Sequence, residues 1–246
     1  MLRILLCAFL LVSLSSCTAP DYEGMQAAME ARARETVSRY FFRQFGNGID
    51  KALTALAAEG GFLDNPLVKL MLPPPVGLML DLGQAFYNNP QAAVLDTLIN
   101  RAAESVTLGA GPILKTALQE LIVNDQAHVL LSGDPGAITN HLRERTSEEL
   151  HKALLPSVSK ALDEAGAVAI YGELIEISDI VRGIGEDVDD VSVVPSGEDS
   201  DGEGQKVPEP VAADELDDYV TARTIDGIFR AIAERESALR DQIELP

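Results

Sequence analysis

Asn89-Pro90-Gln91-Ala92-Ala93-Val94-Leu95-Asp96-Thr97-Leu98-Ile99-Asn100-Arg101-Ala102-Ala103-Glu104-Ser105-Val106 is the stretch that decides the fold. Asn89 offers a side-chain oxygen to the free N–H groups of a helix start. Pro90 follows at the first helical position, where its missing donor does no harm. Behind them Val94, Leu95, Leu98, Ile99, Ala102 and Val106 recur at helical spacing, which predicts one buried face. The same grammar extends outward. Gly111-Pro112 opens a second helix with Leu114, Leu118, Leu121 and Ile122 inward, and Asp134-Pro135 repeats the cap and proline before Ile138 and Leu142. Thr146-Ser147-Glu148-Glu149 fits a capping box at the start of another helix. Its stripe is Leu150, Leu154, Val158, Ala161, Leu162 and Ala165, with a kink expected at Pro156 and a stop at Gly166. A further helix is expected over 168–181. No strand alternation, heptad or internal repeat is present. The expected fold is all-α: a multi-helix bundle forming a single domain.

On the N-terminal side, Met25, Met29, Val37, Tyr40, Phe41 and Phe45 mark an amphipathic helix over 25–46, with Gly46-Asn47-Gly48 as its stop. A second helix is expected over 49–58, ending at Gly60-Gly61. Pro73, Pro74 and Pro75 prevent 62–75 from being helical throughout. The main helical domain is read as 48–185. On the C-terminal side, residues 186–218 hold thirteen carboxylates opposed only by Lys206, a local charge of −12. Residues 186–212 are therefore read as a disordered acidic insertion. Leu216, Tyr219, Val220, Ile225, Ile228, Phe229, Ile232 and Leu239 then mark a long final helix, within 213–246, that completes the domain.

The first residues read as an address. Arg3 precedes an apolar run, 4–12, that is far shorter than the roughly 20 residues of a membrane span. Leu14-Ser15-Ser16-Cys17 closes it and looks like a lipobox, so residues 1–16 are expected to be a cleaved lipoprotein signal peptide. Cys17 is then the lipidation site and 17–24 a tether. Several acyl chains on one residue anchor stably, since each buried methylene contributes about 0.8 kcal/mol. The alternative is an ordinary signal peptide that happens to contain a Cys. Asp does not follow Cys17, which favours the outer membrane, at its periplasmic face. The chain holds 2 Cys, 19 basic and 39 acidic residues, for a net charge of −20. Loss of Cys7 with the signal would leave no second thiol for a disulfide. The charge argues against nucleic acid as a partner, because phosphates would be repelled.

Several ordered strings resemble the domain of unknown function 4197 family. They are Gly61-Phe62-Leu63-Asp64-Asn65-Pro66, Asn100-Arg101-Ala102-Ala103-Glu104, Leu155-Pro156-Ser157-Val158, Tyr219-Val220-Thr221 and Asp226-Gly227-Ile228-Phe229. The resemblance covers roughly 48–240, with departures at Gln126 and His141. It implies an all-helical bacterial envelope lipoprotein and carries no catalytic residues to transfer.

A search for chemistry yields little. His141 and His151 are ten residues apart, the wrong spacing for zinc ligands on one helix face. Asp199-Ser200-Asp201-Gly202-Glu203 has its Gly at the fourth position and lacks the closing Glu of a calcium loop. No catalytic residue, metal or cofactor is assigned. Helix 25–46 carries Arg32, Arg34, Arg39 and Arg43 beside Phe41 and Phe45, so it is expected either to lie in a membrane interface or to pack on the domain. The apolar run 76–82 is read as core or as a partner face. The expected function is a membrane-anchored periplasmic protein acting as an interaction or scaffold module for another envelope protein. The alternative is a carrier of lipid or a small apolar ligand in a pocket between helices. For an enzyme, the first polar residues to test are Asp226, Arg101 and Arg143.

Overall fold

In the computed structural model, Asn89 and Pro90 open their helix as their chemistry requires. The Asn89 side chain accepts from the Gln91 N–H at 2.9 Å, and Pro90 is the first helical residue. The structure describes residues 22–77, 89–124, 129–130, 134–186 and 209–243. The helices are α1 (Tyr22–Ala57), α2 (Pro90–Val106), α3 (Gly111–Asn124), α4 (Ala137–Glu164), α5 (Ala167–Glu186) and α6 (Leu216–Ile243). A 3₁₀ turn (Thr107–Ala110) joins α2 to α3, and another (Ala213–Glu215) leads into α6. There is no strand among the described residues, and the all-α reading holds. None of the described helices is long and apolar enough to cross a membrane.

The chain divides into two compact units, Met1–Phe41 and Phe42–Pro246. The described part of the first is the helical stretch 22–41, nearly all of it exposed. In the second unit α4 is the central element. α6 packs along it most extensively, and α2, α3 and α5 also lie against it. Leu150, Leu154, Val158 and Leu162 of α4 meet a core that includes Val220, Ile228, Phe229 and Ile232 of α6, all buried.

The structure departs from the sequence reading in four places. The stop expected at Gly46-Asn47-Gly48 does not occur; α1 runs through it to Ala57. A Cβ on Gly46 would meet Leu118 of α3 at 3.5 Å, and one on Gly48 would meet Arg235 of α6 at 3.5 Å. Both are ordinary contact distances, so the glycines face packed neighbours without being required by them, and burial of Phe45 and Ile49 beside them offsets their helix cost of about 1 kcal/mol each. Second, Thr146-Ser147-Glu148-Glu149 starts nothing. It lies inside α4, where Thr146 Oγ1 donates to the Leu142 carbonyl at 2.7 Å and Ser147 Oγ to that of Arg143 at 2.6 Å. Third, Val94 is exposed, and the buried face of α2 is Ala92, Leu95, Ile99, Ala102, Ala103 and Val106 together with Asn100 and Glu104. α2 touches α4, α5 and α6, so burial extends beyond one stripe. Fourth, residues 209–212, placed within the insertion, include a packed segment. The Val211 N–H donates to the Pro74 carbonyl at 2.9 Å, and the Tyr171 hydroxyl lies 2.9 Å from the carbonyls of both Pro74 and Val211. The rest of the insertion, 187–208, lies outside the described residues, as do 78–82 of the apolar run, Cys17 and His128. Gly166 closes α4 as expected, with φ +70, and Gly60 takes φ +81 after α1.

Candidate functional site

Two polar residues of α2, Asn100 and Glu104, are buried because they hold a loop. Between α1 and α2, segment 61–72 has no helix to satisfy its backbone, and buried N–H and C=O groups need partners. Glu104 supplies one: its Oε1 accepts from Phe62 N–H at 3.1 Å and Leu63 N–H at 3.2 Å. Asn100 supplies another. Its Oδ1 accepts from Leu70 N–H at 2.8 Å while its Nδ2 donates to the Leu70 carbonyl at 3.1 Å, the pairing a neighbouring strand would make. Arg101 bridges Glu104 and Glu59, at 2.8 Å each. The hydrogen bond to Glu104, reinforced by the Glu104 and Glu59 charges, raises the Arg101 pKa above its ordinary value.

The loop held in this way forms one wall of a cleft of about 210 Å³, open to solvent. Val68, Lys69, Leu70 and Met71 face Tyr219, Arg223, Asp226, Gly227 and Arg230 of α6 across it. Gly227 sets the approach: a Cβ there would fall 2.7 Å from the buried Phe62 ring. Tyr219 donates to the Met71 carbonyl at 3.1 Å and Arg230 to that of Leu67 at 3.3 Å, tying loop to helix. Asp226 is gripped by Arg143 at 2.6 Å and Arg223 at 3.6 Å. The Arg143 guanidinium also lies 4.8 Å from the Phe229 ring centre, and that of Arg223 5.3 Å from the Tyr219 ring centre. Lys69 pairs with Asp96 at 2.9 Å. The lining therefore holds three cations and one carboxylate, in a chain of net charge −20. Beside it Met71 is 65% exposed, with Leu67 also exposed.

The three polar residues named for an enzyme separate into two places. Asp226 and Arg143 meet, whereas Arg101 belongs to the loop clamp. Asp226 has two guanidinium partners, an arrangement that suits a strut positioning arginines better than a proton-transfer group. Among the described residues no group of three or more His, Cys, Asp and Glu is placed to hold a metal ion. His151 instead lies 3.1 Å from Asp218. A second open cleft, about 450 Å³, is lined by Pro75, Gly172, Ile175 and 210–213 with the carboxylates Glu176 and Asp179. Of the α1 residues singled out, Arg32, Arg34, Arg39 and Arg43 are exposed, while Phe41 and Phe45 are fully buried.

Sequence reasoning missed a second polar core. Glu236, fully buried on α6, accepts from the N–H groups of Ile138 (3.1 Å) and Thr139 (2.7 Å) and from the Thr139 hydroxyl (2.6 Å). It thereby caps the start of α4 from the far end of the chain, where a negative charge also suits the helix dipole. Asp134 accepts from the Gly136 N–H at 2.9 Å, the bond Asn89 makes to Gln91, but α4 begins only at Ala137, so Glu236 takes the next two N–H groups. Arg240 completes the cluster, bonding Glu236 at 2.9 Å and the Leu130 carbonyl at 3.0 Å while only 2% exposed. The four-residue spacing of Glu236 and Arg240 was legible, but it reads as an ordinary surface pair.

Compared with known families, residues 41–245 match the one described as "Protein of unknown function (DUF4197)", and the chain belongs to that family. No curated protein and no solved structure matches it.

Proposed function

We propose that this family member is a lipid-anchored envelope protein, held at Cys17 on the periplasmic face of the outer membrane, whose helical domain is a protein-interaction module. The observation that carries the module reading is the cleft between segment 68–71 and α6. Its cation excess stands out on an acidic chain, and an exposed methionine borders it. Arginine and methionine are enriched where proteins dock, and a cationic lining selects a partner that presents a carboxylate-bearing segment. The cleft is small, about 210 Å³, and open to solvent, which suits a side chain of a docked protein better than an enclosed apolar ligand. The anchoring rests on Arg3, the short apolar run 4–12 and Leu14-Ser15-Ser16-Cys17.

Two measurements test this. Labelled palmitate should enter the wild-type chain and not Cys17→Ser. Proteins cross-linked to the full chain in cells should be lost with Arg223→Glu plus Arg230→Glu, both exposed positions, and kept with Lys160→Glu on the exposed face of α4. Equal capture by all three forms would defeat the assignment of the cleft.

A further inference from the structure

The first unit exposes an apolar stripe that the helix itself does not need. Tyr22, Met25, Met29, Val37 and Tyr40 are 67%, 54%, 60%, 37% and 41% exposed. Tyr22 and Tyr40 are five turns apart at about 3.6 residues per turn, so they share one face and stand about 27 Å apart. Met25, Met29 and Val37 fall within about 60° of the line joining them. The buried residues of the same segment, Ser38 and Phe41, lie about 160° and 100° away from that line. The stripe is thus a separate surface and not a loosened extension of a buried one.

We infer that this stripe lies along the membrane interface, with its apolar side chains among the lipid headgroups and upper acyl chains. The inference rests on the proposed anchor, because only residues 18–21 separate Cys17 from Tyr22. Even fully extended, that link spans no more than about 18 Å. Residues 22–43 carry four Arg and three Glu, a local charge of +1 on a chain of −20. An anionic surface that repels the rest of the molecule therefore accepts this helix. Arg32 and Arg39 sit on one flank of the stripe, about 80° to 100° from its centre, where the long stem of Arg32 reaches headgroup phosphates and Arg39, held by Glu35 at 3.1 Å in an exposed pair, exchanges that partner for them. Tyrosine at both ends matches the preference of that ring for the interface.

The chain has no Trp, so a single introduced indole reports position without background. The full chain, purified in detergent, would be reconstituted into phosphatidylethanolamine–phosphatidylglycerol vesicles with brominated acyl chains. Met29→Trp should show blue-shifted emission and strong quenching. Ala31→Trp, exposed and about 160° around the helix from position 29, should show neither. Tyr40→Trp serves as a second reporter should Met29→Trp lose helicity. Equal quenching at both faces, or none at either, overturns the inference. So does shielding of the Met29→Trp fluorophore from iodide without lipid quenching, which would place a second copy of the chain on the stripe. Palmitate uptake separates the two proposals. Uptake without quenching leaves the anchor and removes the interfacial helix. Quenching without uptake removes the anchor and keeps the helix.

Discussion

Glu104→Ala is the most informative perturbation of this domain. The substitution strips the acceptor from two backbone N–H groups, those of Phe62 and Leu63. Phe62 is fully buried, so its N–H cannot turn to water, whereas Leu63 is half-buried. A buried donor left without a partner costs about 1–3 kcal/mol. Taking the middle of that range for Phe62 and the lower end for Leu63 gives about 3 kcal/mol. That is a large fraction of the 5–15 kcal/mol typical of a folded protein, and corresponds to roughly 6–12 °C in Tm at this size. Glu104→Gln keeps an oxygen for both N–H groups but turns an NH₂ toward Arg101, so it should fall between the alanine variant and wild type. Arg101→Ala removes a partner that is about one-third exposed but leaves both N–H groups their acceptor, so it should cost less than Glu104→Ala. Urea denaturation followed by circular dichroism ranks the three, and hydrogen exchange reads the Phe62 and Leu63 amides directly. A Glu104→Ala protein within 1 kcal/mol of wild type, with those amides as protected as before, would refute the clamp.

Further consequences are equally concrete. Gly227→Ala should destabilise by about 1–3 kcal/mol through overpacking against Phe62, and Phe62→Leu should recover part of the loss; a neutral Gly227→Ala in a thermal melt contradicts this. Glu236→Ala leaves Arg240 buried without its carboxylate and should cost about 3–5 kcal/mol. Adding Arg240→Met should recover the part of that loss due to the unpaired guanidinium, the Ile138 and Thr139 N–H groups still lacking their acceptor, and simple additivity of the two losses in a double-mutant cycle would count against a coupled cluster. Burial, with the charges of Tyr219 and Glu215 adding to it, raises the Tyr171 phenol pKa far above its ordinary value near 10. The stability its neutral form contributes is complete below about pH 10 and is lost as pH climbs toward the folded value. Tyr171→Phe, which loses about 1 kcal/mol at neutral pH, should therefore unfold less steeply with alkali than wild type; parallel alkaline titrations would argue against that placement.

The helical class, the Asn89-Pro90 start, the Gly166 stop and the long final helix were all decided by local chemistry. Caps, proline positions and apolar spacing act within a turn or two, so the chain carries them in plain sight. Family membership was legible for the same reason, being written in contiguous strings. The structure gives those strings their purpose: Asn100 and Glu104 exist to satisfy segment 61–72, and Gly227 to admit Phe62. None of this could be read beforehand, because a carboxylate or amide on a helix looks the same whether it faces water or a loop. Gly46-Asn47-Gly48 and Thr146-Ser147-Glu148-Glu149 show the converse. Both carry strong local signals for a helix boundary, and both lie inside helices because tertiary packing, against α3 and α6 for the first string and of α4 against α2, α3 and α6 for the second, outweighs a propensity of about 1 kcal/mol. Sequence alone settled which segments are helical in character. Only tertiary structure settled where helices continue, which polar groups are sealed inside, and which cations meet at the cleft, since these depend on residues from 30 to 163 positions apart that no local pattern connects.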